Sequence, residues 1–309
     1  MSRSTSFRPT SMASLVCGLA LLAAPAYADP AFDFGKKEEI KEVVWKASAQ
    51  AGLIITSGNS STVSVSGGLA VSRNDGWNKI SLDANGTYAN SQVRSPTDTN
   101  GNGLIDGDTE AKNRTSQTTA QQWLAKLRYD RFFTDRNSGY IVGIIGQDVI
   151  AGKSLVGGGQ IGYSRLILKS ERNELAGEVG YDFSYARFAK DDSSVMMHSI
   201  RLFLGYVLTL TKDTAINASA EALLTGNPID VGGVHYGPFE EFRITGKAGL
   251  TTKIYKNISF RFGFTARYDN APAPLALTLP AMTALAPGYT PLAEKLDTTT
   301  EATIVVTFL

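Results

Sequence analysis

The chain has 309 residues with 30 Lys and Arg against 29 Asp and Glu, and its single cysteine is Cys17. Such a balanced charge gives no support to a nucleic-acid partner. One cysteine also excludes an intramolecular disulfide framework. No stretch after the first residues approaches the roughly 18 apolar residues that a membrane-spanning helix needs.

Residues 1–28 have the pattern of a secretory signal peptide. Arg3 and Arg8 precede an apolar run at 15–24, and the small residues at 26–28 suit a signal peptidase. Lipidation of Cys17 is disfavoured because Val16 precedes it, where a small residue is expected. Residues 29–44 are expected to be a periplasmic lead-in, which is either a short helix that plugs or seals the lower mouth or a mobile segment.

From residue 45 to 309 the chain alternates apolar and polar residues in long segments, a pattern typical of β-strands with two unlike faces. Twelve strands are predicted, at 45–56, 61–73, 78–91, 114–132, 139–149, 158–168, 174–188, 196–210, 215–225, 240–253, 258–269 and 295–308. Short turns rich in charged residues alternate with connections that are mostly longer, as periplasmic turns and outer loops do. The sequence therefore predicts an all-β fold, a transmembrane antiparallel up-and-down β-barrel of about twelve strands preceded by a signal peptide.

Aromatic residues cluster at the strand ends, which favours a membrane barrel over a soluble barrel or sandwich. The predicted inner girdle contains Trp45, Trp77, Phe132, Tyr140 and Phe308, and the predicted outer girdle contains Tyr88, Tyr185 and Tyr268. An outer-membrane location in a Gram-negative cell follows, with outer-membrane lipid, lipopolysaccharide and the barrel assembly machinery as partners and a monomer as the assembly.

Several motifs resemble a known family. They are Thr56 to Ser60 (TSGNS), Gly157 to Tyr163 (GGGQIGY), Glu174 to Phe188 (ELAGEVGYDFSYARF) and the last strand, Lys295 to Phe308. Together they resemble the YdiY-like salt-induced outer-membrane proteins, which are classed by a domain of unknown function. The resemblance implies an outer-membrane barrel and supplies no catalytic residues.

If the apolar faces meet lipid, the opposite faces line the lumen, and a charge there must be hydrated or paired. The predicted lumen charges are Lys79, Asp83, Lys126, Arg128, Asp130, Glu178, Asp182, Arg201, Glu221, Glu241, Arg243, Lys247, Arg261, Arg267, Lys295, Asp297 and Glu301, while Arg165 stays unassigned. One interpretation is a passive narrow channel for small hydrophilic solutes or ions. The alternative is a non-conducting structural or salt-stress-related envelope barrel, whose interior the charges fill and whose outer loops bind cation, lipopolysaccharide or a partner.

The loop at 98–110 is similar to a calcium-binding loop. Its candidate metal ligands are Asp98, Asn100, Asn102, Asp106 and Asp108. Oxygen side chains at alternate positions with a glycine at the sixth suit a hard cation. Thr109 occupies the twelfth position, where a bidentate carboxylate belongs. The alternative is a solvated loop rich in Asn, Gly and Asp, and Ca²⁺ is the only cofactor that the sequence suggests.

Enzymatic chemistry is not expected. Only His198 and His235 are available as bases at neutral pH. Ser199 follows His198, but adjacent residues of a strand point to opposite faces and cannot form a nucleophile and base pair. The apolar segment 271–291 is predicted either to fold over the barrel as a lid or to extend the preceding strand.

Overall fold

The computed structural model describes residues 42–56, 61–94, 114–274 and 292–308. Fourteen strands lie within these residues. They are β1 (Val44–Thr56), β2 (Ser61–Asn74), β3 (Asn78–Arg94), β4 (Arg114–Phe132), β5 (Asn137–Asp148), β6 (Lys153–Lys169), β7 (Asn173–Phe188), β8 (Ser194–Thr209), β9 (Thr214–Thr225), β10 (Ile229–Val231), β11 (Val234–Tyr236), β12 (Phe242–Tyr255), β13 (Ile258–Asp269) and β14 (Leu296–Thr307).

Twelve of the strands in the described ranges form one closed barrel, in which each strand pairs antiparallel with its neighbour along the chain. Strands β10 and β11 form a separate two-stranded hairpin in the connection between β9 and β12. Pairing of β1 with β14 closes the barrel over four positions, from Ser48 with Thr307 to Ala51 with Ile304. The predicted up-and-down barrel of twelve strands is confirmed.

None of the described residues belongs to a helix with the length and apolar character needed to cross a bilayer.

The two faces of the barrel wall differ as the alternation predicts. On β8, Ile200 and Leu202 are 49% and 54% exposed, whereas Arg201 between them is 2% exposed. On β13, Phe262 and Phe264 face outward and are also exposed. Apolar side chains therefore cover the outside of the barrel, and polar and charged side chains line its interior.

The predicted strand bounds agree with the structure to within a few residues, with two larger differences. Strand β6 begins at Lys153 instead of 158, and the β10–β11 hairpin was not predicted. The strand alternation also assigns Arg165, which is exposed and lies on the outward face of β6 between Ser164 and Leu166, both buried.

The prediction is wrong for two members of the inner girdle. Phe132 and Tyr140 are each 2% exposed and lie inside the barrel. The physical reason is strand alternation: Phe132 shares its face of β4 with Arg128 and Asp130, which also point inward. Nearness to the strand end was the wrong criterion, because the face on which a residue lies decides whether it can meet lipid.

Candidate functional site: the barrel interior

An ion-pair cluster fills one side of the interior in the half nearer the short turns, which is called the inner half below. The side chains of Arg128, Glu178 and Arg201 are at most 2% exposed. Glu178 accepts hydrogen bonds from Arg128 Nη2 and from Arg201 Nη1, each at 2.7 Å. Asp130 holds the other edge of the Arg128 guanidinium, at 2.8 Å from Nε and 2.7 Å from Nη2. Glu221 lies 2.7 Å from Arg201. Every buried charge in the cluster thus has a partner, which its burial requires.

Tyr140 on β5 connects this cluster to the wall. Its hydroxyl accepts a hydrogen bond of 2.9 Å from Arg201 Nη1, and the guanidinium carbon of Arg128 lies 4.5 Å from its ring centroid. The ring lies over two glycines on the next strands: a Cβ on Gly162 would lie 2.5 Å from the tyrosine hydroxyl, and one on Gly180 would lie 2.6 Å from it. Only glycines at these two positions leave room for the ring, so the Tyr140 side chain of β5 can reach Arg201 of β8 across β6 and β7.

A second polar group lies nearer the outer end on the same side. Asp182 accepts hydrogen bonds from Gln160 at 2.9 Å and from Ser184 at 2.5 Å. Arg243 lies 3.1 Å from Glu241 and 4.0 Å from Asp182. Paired polar and charged groups therefore continue from the ion-pair cluster toward the outer end, between β6, β7 and β12.

The outer mouth on this side is covered by an apolar cap. Ile229 and Val231 of the β10–β11 hairpin are each 4% exposed and belong to one buried cluster with residues of the inward faces of β7 and β8. Those residues and the remaining member of the cap are Ala186, Phe188, Val195, Met197 and Ala273. Ala271 and Ala273 are also buried, so the described start of the apolar segment after β13 packs against the cap. Residues 275–291 of that segment lie outside the described residues.

The opposite wall of the outer half is open to solvent. Asn85, Lys247 and Arg267 lie on inward faces of β3, β12 and β13, yet all three are exposed. Asp297 lies on the inward face of β14, directly across from Arg267 in the strand register. Water therefore reaches this wall of the interior, which carries charges of both signs.

The inner half of this wall is buried and lined by neutral polar groups. Asn217 on β9, Thr251 on β12 and Thr303 on β14 are 0%, 1% and 3% exposed. The amide of Asn217 and the hydroxyls of both threonines have no hydrogen-bond partner among the described residues. The hydroxyls of Ser138 and Ser164, which pair across β5 and β6, also have no hydrogen-bond partner among the described residues. Buried polar atoms without a protein partner are the positions at which proteins bind ordered water.

The two histidines do not form catalytic arrangements in the described structure. His198 faces outward, where its Nδ1 lies 2.5 Å from the Tyr181 hydroxyl. Ser199 faces inward and shares a hydrogen bond of 2.9 Å with Thr225, so the predicted separation of His198 and Ser199 is confirmed. His235 lies 2.9 Å from Asp230, and both side chains are exposed on the hairpin.

The candidate calcium ligands at 98–108 lie outside the described residues, so calcium binding stays a prediction. Among the described residues, no three His, Cys, Asp or Glu side chains are placed to hold a metal ion.

A closed antiparallel barrel with an apolar outside and a charged interior defines the class of transmembrane β-barrels. The profile of DUF481, described as a protein family of unknown function, matches residues 49–308, and the chain belongs to this family. The resemblance to the YdiY-like proteins is confirmed, since they are the same family. A comparison with curated proteins gives no match.

Solved structures with a similar course of the chain are barrels of low sequence identity. The NanC porin has 8% identity and a TM-score of 0.41, with 85% of this chain and 97% of the porin covered. The translocator domain of the autotransporter NalP from Neisseria meningitidis has 12% identity and a TM-score of 0.41, covering 86% and 88%. An anion-selective porin from Comamonas acidovorans has 10% identity and a TM-score of 0.37, covering 86% and 99%. Similarities at this level carry no information about function.

Proposed function

We propose that the chain is an outer-membrane barrel, monomeric and without enzymatic activity, surrounded by phospholipid and lipopolysaccharide. The apolar outward faces support this location. Leu202, Leu204 and Phe262 are each about half exposed, and water would penalise so large an apolar surface, whereas lipid would not. Trp45 and Trp77 at the inner strand ends are similarly exposed, at the level where amphipathic rings meet the bilayer interface.

Within that membrane, the proposed function is passive passage of small hydrophilic solutes or ions through a narrow lumen. The observation that carries this proposal is the asymmetry of the interior. Solvent reaches the charged wall at Lys247 and Arg267 in the outer half, while the inner half is packed around the ion-pair cluster. The inner half is therefore the constriction, and small ions or solutes of a few atoms are the species that it admits.

The second candidate is a non-conducting envelope barrel, and one observation favours it. Inward residues of the inner half are buried on most strands of the barrel wall, among them Ser81, Arg128, Glu178, Thr251 and Thr303. In eight-stranded barrels, inward side chains packed in this way fill the interior completely. A barrel of twelve strands is intermediate in width between those barrels and the open porins. The amide and hydroxyls on β9, β12 and β14 favour the channel instead, because buried polar atoms without a protein partner are positions at which water binds.

Single-channel recording in planar bilayers tests the two candidates. The informative variant is Glu178→Ser/Arg201→Ser, which removes one charge of each sign from the cluster and leaves Arg128 paired with Asp130. Its matched control is Glu171→Ser/Arg172→Ser, two opposite charges in an exposed turn. We expect small current steps from the natural protein, steps several-fold larger from the cluster variant, and no change from the control.

The outcomes separate the candidates. If the folded natural protein gives no steps and the cluster variant does, the barrel is closed and the non-conducting candidate is correct. If neither gives steps, the channel proposal fails altogether. If the natural protein and the cluster variant conduct equally, passage occurs but the cluster is not the constriction.

A further inference from the structure

The inner rim of the barrel repeats one arrangement three times on its outward face. Strands β3, β5 and β7 each begin with an asparagine whose Oδ1 accepts a hydrogen bond from a tyrosine on the following strand. The three pairs are Tyr129 with Asn78 at 2.7 Å, Tyr163 with Asn137 at 2.5 Å and Tyr206 with Asn173 at 2.5 Å. Each bond turns a tyrosine hydroxyl toward the short turns while the ring faces outward, and this marks the inner boundary of the apolar belt.

Two of the three arrangements also present an arginine. In the strand register, the residue directly across from the asparagine is Arg131 for Asn78 and Arg165 for Asn137. Both arginines are exposed and share the outward face of their strands with the tyrosine two residues before. Across from Asn173, the corresponding residue is Leu208. The rim thus contains two basic positions and one apolar position of the same backbone geometry.

We propose that Arg131 and Arg165 each bind the phosphate of a phospholipid headgroup in the inner leaflet of the membrane. A guanidinium presents a planar pair of donors that matches phosphate oxygens. The adjacent tyrosine ring packs against the acyl-chain carbons next to the headgroup. This inference rests on the proposed membrane location. It goes further in assigning two residues to a ligand.

The surroundings of Arg131 suit such a ligand. A depression of about 440 Å³ lies beside it, lined by Asp75, Trp77, Asn78 and Arg131. The guanidinium donates one hydrogen bond of 2.8 Å, to Asn78 Oδ1. The Asp75 carboxylate is occupied by the turn itself, since it accepts from the backbone N–H groups of Trp77 and Asn78 at 3.1 and 2.7 Å. Neither Arg131 nor Arg165 forms an ion pair within the part of the chain that the structure describes.

Leu208, the apolar position across from Asn173, allows a lipid site to be added, whereas Arg131 and Arg165 allow sites to be removed. Native mass spectrometry of the detergent-solubilised protein counts bound phosphatidylglycerol against phosphatidylethanolamine. We compare the natural chain, Arg131→Gln/Arg165→Gln, the conservative Arg131→Lys/Arg165→Lys, and Leu208→Arg. The matched control is Arg136→Gln/Arg172→Gln, which removes two exposed arginines in the neighbouring turns. Heat-modifiable electrophoretic mobility reports folding of each variant.

We expect affinity for phosphatidylglycerol to fall about fivefold for each arginine replaced by glutamine. The lysine pair retains part of the affinity, because it keeps the charge and loses the paired donors. Leu208→Arg should retain one additional phosphatidylglycerol, and the turn control should bind as the natural chain does. If the glutamine pair does not fold, Leu208→Arg alone tests the proposed phosphate site.

Equal binding by the glutamine pair and the turn control, or no gain with Leu208→Arg, would overturn the inference and leave the membrane location intact. Fractionation of cells producing the natural chain distinguishes the other failure. Recovery of the folded chain in the soluble fraction without detergent would remove the membrane location, and the lipid sites with it.

Discussion

Replacement of Glu178 by glutamine should be the most damaging single change of charge in the barrel interior. Glu178 is 0% exposed at its side chain and accepts three hydrogen bonds, two from Arg128 at 2.7 and 3.2 Å and one from Arg201 at 2.7 Å. Glutamine has the same shape, but its amide nitrogen would face one of the guanidinium groups as a second donor. The variant thus removes the shared carboxylate without creating a cavity.

The expected loss follows from what remains around each arginine. Arg128 keeps Asp130 and Arg201 keeps Glu221, so neither is left wholly without a carboxylate. Removal of one partner from a buried ion pair costs about 3–5 kcal/mol, and the remaining carboxylates place Glu178→Gln near the lower limit, at about 3 kcal/mol. This corresponds to a change of about two powers of ten in the unfolding equilibrium constant.

Glu221 supplies the matched control, because it binds the same Arg201 with a side chain that is 29% exposed. Water can solvate the groups left by Glu221→Gln, so its expected cost is about 1 kcal/mol or less. Urea unfolding in vesicles, followed by tryptophan fluorescence, gives both values. If the two variants lose equal stability, or Glu178→Gln loses less than about 1 kcal/mol, burial does not make this cluster decisive and the packing argument is wrong.

Three further predictions concern other parts of the molecule. Gly180→Ala should lose about 1–3 kcal/mol of stability, because the added Cβ would lie 2.6 Å from both the Ile161 carbonyl oxygen and the Tyr140 hydroxyl, whereas Gly143→Ala, whose Cβ would meet nothing within 4 Å, should lose none; equal urea midpoints would contradict this. Asn85→Cys in the solvent-exposed lumen should react with a small charged thiol reagent and Thr300→Cys on the lipid face should not, and the reverse pattern would show that the two faces of the barrel are inverted. The backbone N–H of Asn78 is the main cause that lowers the pKa of Asp75, so the stability that this carboxylate adds over Asp75→Ala is complete above about pH 4 and is lost as pH falls below it; a pH-independent difference in urea midpoint would exclude this role.

Most of the fold could be predicted because each barrel strand is long and has one lipid face. An alternation sustained over a dozen residues has one plausible structure, and the charged turns between strands confirm the count. The β10–β11 hairpin escaped prediction because its strands have three residues each. One signal was nevertheless present: Gly232 and Gly233 separate Val231 from Val234 and adopt φ of 60° and 82°, as a two-residue hairpin turn requires.

The composition of the lumen could be predicted, but its pairings could not. Strand alternation assigns Arg128, Glu178 and Arg201 to the interior. Arg128 and Glu178 are 50 residues apart, and their contact depends on the tilt and stagger of the strands, which alternation does not determine. Tyr140 was assigned to the girdle for its position near a strand end. The position of Tyr140 inside the barrel depends on Gly162 and Gly180, which lie on two other strands. No local sequence pattern links these three residues.

The inward side chains of the inner half differ in size and charge around the barrel wall. Along β4 to β8, the inward faces carry Arg128, Tyr140 and Arg201, whose side chains extend toward one another and fill the space beside that wall. On β12, the space beside Gly249 is occupied by the Asn217 amide of β9, since an added Cβ would lie 2.7 Å from its Oδ1. Large paired charges therefore fill one side of the inner half, and smaller neutral polar groups fill the other. Because Asn217, Thr251 and Thr303 are as deeply buried as the ion-pair cluster, any passage through the inner half requires side chains on one of these two sides to move.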